Sequence, residues 1–104
     1  MTTALVVQPD AEADLASAYH WYETQRPGLG QEFLIAVDRA FERIAEQPLR
    51  HPAIHGETRR TFLRRFPYVV FHVMRHDRVY VLAVLHQRRS PRIAASRTYR
   101  FEGR

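Results

Sequence analysis

The stretch that decides the fold is residues 66–86, FPYVVFHVMRHDRVYVLAVLH. Two apolar runs, 66–74 and 79–86, are separated by the polar residues 75–78. Runs rich in β-branched and aromatic residues on either side of a short polar segment predict a β-hairpin. The second run is apolar at both odd and even positions, which is typical of a strand covered on both sides. We therefore expect 79–86 to lie in the centre of a sheet.

Two amphipathic helices precede this hairpin. Apolar residues recur every three to four positions in two segments, which is the period of a helix with one buried face. The first helix is expected from Asp10 to about residue 25 and the second over 31–46. The five residues 26–30, RPGLG, form a turn between them. Two helices joined by so short a turn should pack as an antiparallel hairpin.

The remaining segments complete an α+β pattern. Residues 4–7 and 61–63 predict short strands, residues 48–58 predict a loop, and 93–104 predict a brief helix or an edge strand. The order is then β-α-α-β-β-β with a short C-terminal element. The sequence therefore predicts one domain over 1–104, in which a helical hairpin covers one face of a mostly antiparallel, twisted sheet in two layers.

The positive charge of the chain lies in its second half and is carried by arginine alone. Residues 1–58 contain four Arg against nine Asp and Glu, a net charge of −5. Residues 59–104 contain twelve Arg against two acidic residues, a net charge of +10. The guanidinium group binds a carboxylate or a phosphate in two places at once. The basic half therefore predicts a polyanion or an acidic protein segment as partner.

Composition excludes several classes of site. The chain has no cysteine, which excludes disulfides and thiolate metal sites. His51 and His55 have the spacing of one helix face, but Pro52 and Gly56 make a helix there unfavourable, so we expect no metal and no cofactor. No apolar run approaches the ~18 residues of a membrane span, and the N-terminus lacks a signal-peptide pattern. We expect a cytoplasmic protein without a membrane partner.

Several segments, taken in order, resemble a known family. They are VQPDAEADL at 7–15, WY at 21–22, AFERI at 40–44, RRFPYVVF at 64–71 and VLAVLHQRR at 81–89. Together they resemble the toxins of bacterial type II toxin–antitoxin modules, the RelE/ParE superfamily, over roughly residues 4–93. Within the superfamily the chain is more similar to the ParE-like, plasmid-stabilisation branch than to the RelE branch.

The resemblance implies a fold, a partner and two alternative activities. The implied partner is a small acidic antitoxin with a DNA-binding domain, encoded beside the toxin. ParE-like toxins are associated with poisoning DNA gyrase, whereas RelE-like toxins cleave messenger RNA inside the ribosome. Since one scaffold carries both activities, the fold does not decide between them. Our primary hypothesis is a gyrase inhibitor that catalyses no reaction, and a non-toxic antitoxin-binding module is a further alternative.

The candidate site residues cluster near the predicted end of the sheet. We expect a surface that binds the target or the antitoxin, formed by Arg64, Arg65, His86, Arg88, Arg89 and Arg92. Metal-free RNA cleavage needs a base, an acid and cations that stabilise the phosphorane; the catalytic candidates are His86, Arg88, Arg89 and Tyr99. A structural role in ending the strand is the alternative for His86.

Two departures from the ribonuclease branches favour binding over catalysis. The RelE branch typically uses lysines with an arginine and a tyrosine, and this chain has no lysine. A related branch ends in a His-Tyr pair, whereas residues 100–104 are RFEGR. A separate aromatic cluster of Tyr19, Trp21 and Tyr22 is expected to pack in the hairpin core, and part of it is a candidate seat for an antitoxin helix.

Overall fold

A computed structural model describes residues 2–89 and 91–102. Its elements in chain order are β1 (Ala4–Val7), α1 (Pro9–Gln25), α2 (Leu29–Glu46), β2 (Ala53–His55), β3 (Thr58–Phe62), β4 (Tyr68–Arg75), β5 (Arg78–His86) and α3 (Pro91–Glu102). The strands form one sheet in the order β1-β5-β4-β3-β2, in which β1 runs parallel to β5 and the other pairs are antiparallel. The α+β class, the helical hairpin and the central β5 are confirmed.

Some boundaries differ from those expected. The predicted loop 48–58 contains β2, a three-residue edge strand whose side chains are all exposed, so it has no buried face that periodicity could reveal. The strand expected at 61–63 begins at Thr58, and α2 begins at Leu29, two residues before its expected start. Of the two alternatives for the C-terminal segment, the structure has the helix; residues 103 and 104 lie outside the described residues.

The α1–α2 turn is closed by one carboxylate. Glu23 accepts the N–H of Gly30 at 2.8 Å and that of Gly28 at 3.2 Å, which satisfies free donors at the start of α2. Gly28 has a φ of 89°, a left-handed conformation that glycine adopts without steric cost. At Gly30 an added Cβ would lie 2.7 Å from the Tyr19 carbonyl oxygen. The two helices approach closely because this position lacks a side chain.

A β-bulge in β5 changes which alternate side chains point to each face of the sheet on its two sides. Phe71 pairs with Ala83 and His72 with Val81, so Leu82 is an extra residue without a partner of its own. Val79, Val81 and Val84 consequently face the helical hairpin. Ala83 and Leu85 face the other side, where they pack with Val69 and Phe71. Simple alternation along the sequence would have placed 83 and 85 with 79 and 81.

The hairpin face holds the main core, which is rich in aromatic side chains. The rings of Tyr22, Phe33, Phe66 and Tyr68 contact one another with centroids 5.0 to 6.0 Å apart, a range favourable for aromatic pairs. The expectation that Trp21 packs in this core is wrong, since it is 56% exposed. Adjacent helical residues point about 100° apart, and only Tyr22 of this pair is directed at the sheet.

The second cluster is covered by α3. Ala94 is buried against the far face of the sheet with Ile93 beside it, and the buried hydroxyls of Thr58 and Thr98 lie 2.6 Å apart. At the other end of the helix, the Phe101 ring lies 5.1 Å from that of Tyr80. The helical hairpin and α3 therefore sandwich β4 and β5.

Candidate interaction site at the end of the sheet

The loops before β4 and after β5 lie side by side. Tyr68 opens β4 directly opposite His86, which ends β5. The N–H of Gln87 donates to the Pro67 carbonyl at 2.8 Å, and the N–H of Leu63 donates to the Tyr68 carbonyl at 2.9 Å. These bonds bring together residues 63–68 and 86–89, which we call the basic sheet end because it carries Arg64, Arg65, Arg88 and Arg89.

His86 is half-buried at the centre of the basic sheet end. Its ring packs edge-on against Tyr68, with centroids 5.5 Å apart. Its Nδ1 accepts the backbone N–H of Arg88 at 3.1 Å, and its carbonyl accepts the N–H of Arg89 at 2.8 Å. His86 therefore fixes the turn that follows β5, and within residues 2–89 and 91–102 its Nε2 has no hydrogen-bond partner.

Tyr68 was not among the expected site residues. Its ring separates His86 from the aromatic core, where it contacts Tyr22 and Phe33. Burial raises the pKa of Tyr68, and the charge of Arg89 partly opposes that rise. The phenol is thus held in its protonated form beside a histidine. In the sequence, the position of Tyr68 next to Pro67 indicated only a strand residue. Its contact with His86 follows from the strand register, which the structure shows.

The Arg64-Arg65 pair lies on the α2 side of the sheet end. Arg65 adopts a φ of 72° and forms an ion pair with Glu32 at 2.9 Å; Glu32 also binds Arg26 at 3.0 Å. The hydrogen bonds from Arg65 and Arg26 lower the pKa of Glu32. Arg64 is exposed close to Arg43, whose pKa is lowered chiefly by burial and further by the charge of Arg64.

Arg88 and Arg89 extend from the turn after β5 and are both exposed. Arg89 borders a groove between α1 and β5, which also includes Trp21 and Tyr68. The sheet end therefore presents arginines on two sides of His86, one set toward α2 and the other toward α1. Such a surface suits an extended anionic partner better than a single small anion.

The other expected residues lie elsewhere. Arg92 is in the first turn of α3, beside a depression formed with Asp10, Arg97 and Arg100. Tyr99 is 79% exposed on α3, the helix that covers the face of the sheet opposite the hairpin. His86 shares the hairpin face with its partner Tyr68, so the structure does not bring His86 and Tyr99 together.

A buried ion pair near the site was also missed. Arg97 of α3 donates to both carboxylate oxygens of Asp14 of α1, and the two side chains are 14% and 11% exposed. The hydrogen bond that Arg97 donates to Asp14 is the main reason that the pKa of Arg97 is raised. No local sequence pattern predicts that Asp14 pairs with Arg97, because each is typical of a charged residue on the exposed face of a helix.

Within residues 2–89 and 91–102 there is no group of three or more His, Asp or Glu side chains placed to hold a metal ion. His51 instead supplies its backbone carbonyl to the Arg59 guanidinium. Over the same residues, every helix is too short or too polar to cross a membrane.

The chain is thus a small α+β domain whose sheet ends beside exposed arginines. A family model described as "ParE toxin of type II toxin-antitoxin system, parDE" matches residues 5–91. The chain therefore belongs to the ParE toxin family, and membership implies an antitoxin partner.

Among solved structures, the chain is similar to one from a chromosomal ParDE toxin–antitoxin system of P. aeruginosa. The TM-score is 0.73 at 16% identity, and the match covers 82% of this chain and 96% of the other. At this identity the likeness supports the fold alone. A comparison with curated proteins gave no match.

Proposed function

We propose that this protein is a toxin that inhibits DNA gyrase by binding, and that a cognate acidic antitoxin with a DNA-binding domain neutralises it. The observation that carries the proposal is membership of the ParE toxin family over residues 5–91. The basic sheet end supports binding to an anionic surface, since Arg64 and Arg88 are both exposed there. Gyrase engaged with DNA offers such a surface.

The arrangement of polar groups also favours binding over catalysis. The Nδ1 of His86 is engaged by the N–H of Arg88, Arg65 is held by Glu32, and Tyr99 lies on the helix of the opposite face. A ribonuclease needs a base, an acid and phosphate-binding cations directed at one phosphate. His86 and Tyr99, two of the expected catalytic candidates, therefore lie in different surroundings, and the charge of Arg65 is already paired with Glu32.

A ribosome-dependent messenger RNA endoribonuclease is the second candidate, and one observation favours it. His86 contacts Tyr68, a protonated phenol whose pKa is raised by burial, with Arg89 nearby. This trio has the chemical types that a metal-free cleavage requires. Under this alternative, Tyr68→Phe and His86→Gln would each abolish cleavage of ribosome-bound messenger RNA.

The two candidates differ in the first process that fails in cells. Induction of the chain alone should stop incorporation of labelled thymidine before that of labelled leucine, and the purified protein should inhibit supercoiling by gyrase. If leucine incorporation stops first, the ribonuclease replaces the gyrase proposal. If neither changes, the chain is a non-toxic module. The antitoxin proposal also requires a short acidic reading frame next to the gene.

A further inference from the structure

The face of the sheet that α3 covers is left partly open at β3. Phe62 pairs with Val69 of β4, which is buried in the cluster under α3. Arg60 pairs in the same way with Phe71, another member of that cluster. Since directly opposed residues place their side chains on the same face, Arg60 and Phe62 lie on the α3 side of the sheet. Phe62 is nevertheless 48% exposed, and Arg60 is exposed as well.

Arg60 and Phe62, which we call the β3 platform, form one unit on a fixed strand. The guanidinium carbon of Arg60 lies 5.3 Å from the centroid of the Phe62 ring, a distance typical of a cation–π contact. The Phe62 carbonyl accepts from the Arg43 side chain at 3.1 Å. The next residue, Leu63, donates its N–H to the Tyr68 carbonyl at 2.9 Å. The backbone therefore holds the exposed ring in one position.

The charge around the β3 platform is positive. Residues 58–68 contain four arginines and no acidic residue. Arg64, two positions after Phe62, is exposed. It lies near Arg43, whose pKa is lowered first by burial and then by the charge of Arg64. The β3 platform is therefore continuous with the basic sheet end, and its surroundings favour an anionic partner.

The chemistry of the β3 platform distinguishes between anionic partners. An exposed aromatic ring beside arginines is the combination that binds single-stranded nucleic acid, because a base stacks on the ring while the cations contact the phosphates. A base within a duplex is stacked between its neighbours, so only an unpaired base can offer its face to Phe62. An acidic peptide would pair with the arginines but would leave the flat aromatic surface without a matching plane.

We propose that the β3 platform binds an unpaired base of single-stranded DNA. The base stacks on the Phe62 ring, Arg60 contacts an adjoining phosphate, and the strand continues over Arg64 of the basic sheet end. That the strand is DNA rests on the proposed function, since gyrase acts on DNA. That an unpaired base is bound rests on the exposed ring and its arginines.

The test measures the binding of fluorescently labelled oligonucleotides to the full chain by anisotropy. The probe is a strand of about ten deoxythymidines, within the length that surfaces of this kind bind. Its matched control is a strand of the same length made of abasic sites, which keeps the phosphates and lacks the bases. We expect the abasic strand to bind roughly tenfold more weakly, because stacking is lost. A uridine strand that binds more tightly than the deoxythymidine strand would overturn the choice of DNA.

Aromatic variants test the stacking. Phe62→Leu keeps an apolar side chain but removes the ring, so it should weaken binding of the deoxythymidine strand roughly tenfold and leave binding of the abasic strand unchanged. Phe62→Tyr should bind like the unaltered chain. Trp21→Leu removes a ring that is 56% exposed on α1, and it should leave the affinity unchanged. Because Phe62 and Trp21 are both exposed, the midpoint of thermal unfolding should stay the same in all three variants.

Arginine variants test the phosphate contact. Arg60→Gln should reduce the slope of log affinity against log salt concentration by about 0.7, the value for one phosphate contact on a single strand. Arg39→Gln, an exposed arginine on α2, should leave the slope unchanged. Equal slopes for these two variants would show that net charge alone attracts the strand and would overturn the proposal.

Three other results would also overturn it: equal effects of Phe62→Leu and Trp21→Leu, equal binding of the two strands, or no binding. Gyrase inhibition is measured without oligonucleotide, so the proposed function is tested separately. A chain that binds the strand through Phe62 and does not inhibit gyrase would refute the function and leave the β3 platform standing. If Phe62→Leu instead abolishes gyrase inhibition while no strand binds, the platform contacts gyrase itself and the proposal is wrong.

Discussion

Asp14 and Arg97, 83 residues apart in the chain, form a two-pronged ion pair that links α1 to α3 across the edge of β5. Asp14 also accepts the N–H of Val84, and Arg97 also donates to the carbonyl of Leu82. One pair of side chains thus connects three elements. It also satisfies backbone groups that β1 is too short to reach.

Because this pair is mostly buried, its loss should be costly. Asp14→Asn keeps the shape and an acceptor for Val84 but leaves Arg97 as a buried cation without its counter-charge. We expect the free energy of unfolding to fall by about 2–3 kcal/mol, somewhat less than for a fully buried pair, measured by urea denaturation.

The matched control is the more exposed pair of Arg100 and Asp10, whose side chains are 59% and 52% exposed. Arg100→Gln should cost less than about 1 kcal/mol. Equal losses for the two variants would mean that burial of the Asp14–Arg97 pair adds nothing to the free energy of unfolding.

Gly30→Ala should destabilise the protein even though alanine is the better helix former. Propensity alone would give a gain of about 1 kcal/mol. The new Cβ would meet the Tyr19 carbonyl at 2.7 Å, and backbone cannot move aside as a flexible side chain can. We expect a net loss of about 2 kcal/mol from overpacking, measured by thermal or urea unfolding.

The control for that substitution is Gln31→Ala, at the exposed neighbouring position of the same helix turn. It should change stability by less than about 0.5 kcal/mol. A stabilising Gly30→Ala would show that the two helices can separate at low cost.

His72 should make stability depend on pH. It is 0% exposed, its Nε2 lies 2.9 Å from the Pro48 carbonyl oxygen, and its Nδ1 has no hydrogen-bond partner among the described residues. Burial is the main cause that lowers its pKa below 6.5; the hydrogen bond with the Pro48 carbonyl opposes this effect, and the charges of Arg59 and His51 add to it. The folded protein therefore binds this proton less readily than the unfolded chain.

It follows that stability is full above about pH 6.5 and falls as the pH drops below that value, by up to about 1.4 kcal/mol per pH unit. The fall ends below the lowered pKa of the folded state. His72→Gln should remove this slope between pH 7.5 and 5.5 in urea unfolding, whereas His76→Asn, in the exposed β4–β5 turn, should retain it. If stability still depended on pH in the same way without His72, another titratable group would be the cause.

Replacing arginines of the basic sheet end should weaken target binding in steps. Arg64→Gln and Arg88→Gln should each raise the concentration needed for half-inhibition of gyrase roughly threefold to tenfold, because each removes one charge contact. Tyr99→Phe on α3 should have no effect. Arg39→Gln, an exposed arginine on α2, is the charge-matched control, and an equal effect there would indicate attraction to net charge alone.

The main features of the fold could be predicted because they depend on periodicity. The helical spacing of α1 and α2 and the two-sided apolar run of β5 are local patterns, and each was confirmed. The bulge at Leu82 could not be predicted, since an extra residue in a ladder leaves the composition of the strand unchanged. The helix α3 was ambiguous because few of its residues, chiefly Ala94 and Thr98, are fully buried.

The candidate site was predictable as a cluster of charge but not in its contacts. The sequence places Arg88 and Arg89 after a strand, and that alone indicates a basic sheet end. It cannot show that Glu32 holds Arg65, since these residues are 33 positions apart. The pairing of Tyr68 with His86 depends on strand register, which is fixed by the bulge and the hairpin turn together.

The second hydrophobic cluster has a consequence for the protein during its synthesis. The far face of the sheet, with Val69, Phe71 and Leu85, is covered by α3, which is translated after β5. The twelve residues of α3 take roughly one second to add at ordinary ribosomal rates. For at least that interval, a nascent chain that has formed its sheet exposes an apolar face and leaves Asp14 without Arg97. A partner already present at the ribosome would therefore meet the protein while this apolar face is still exposed, before α3 covers it.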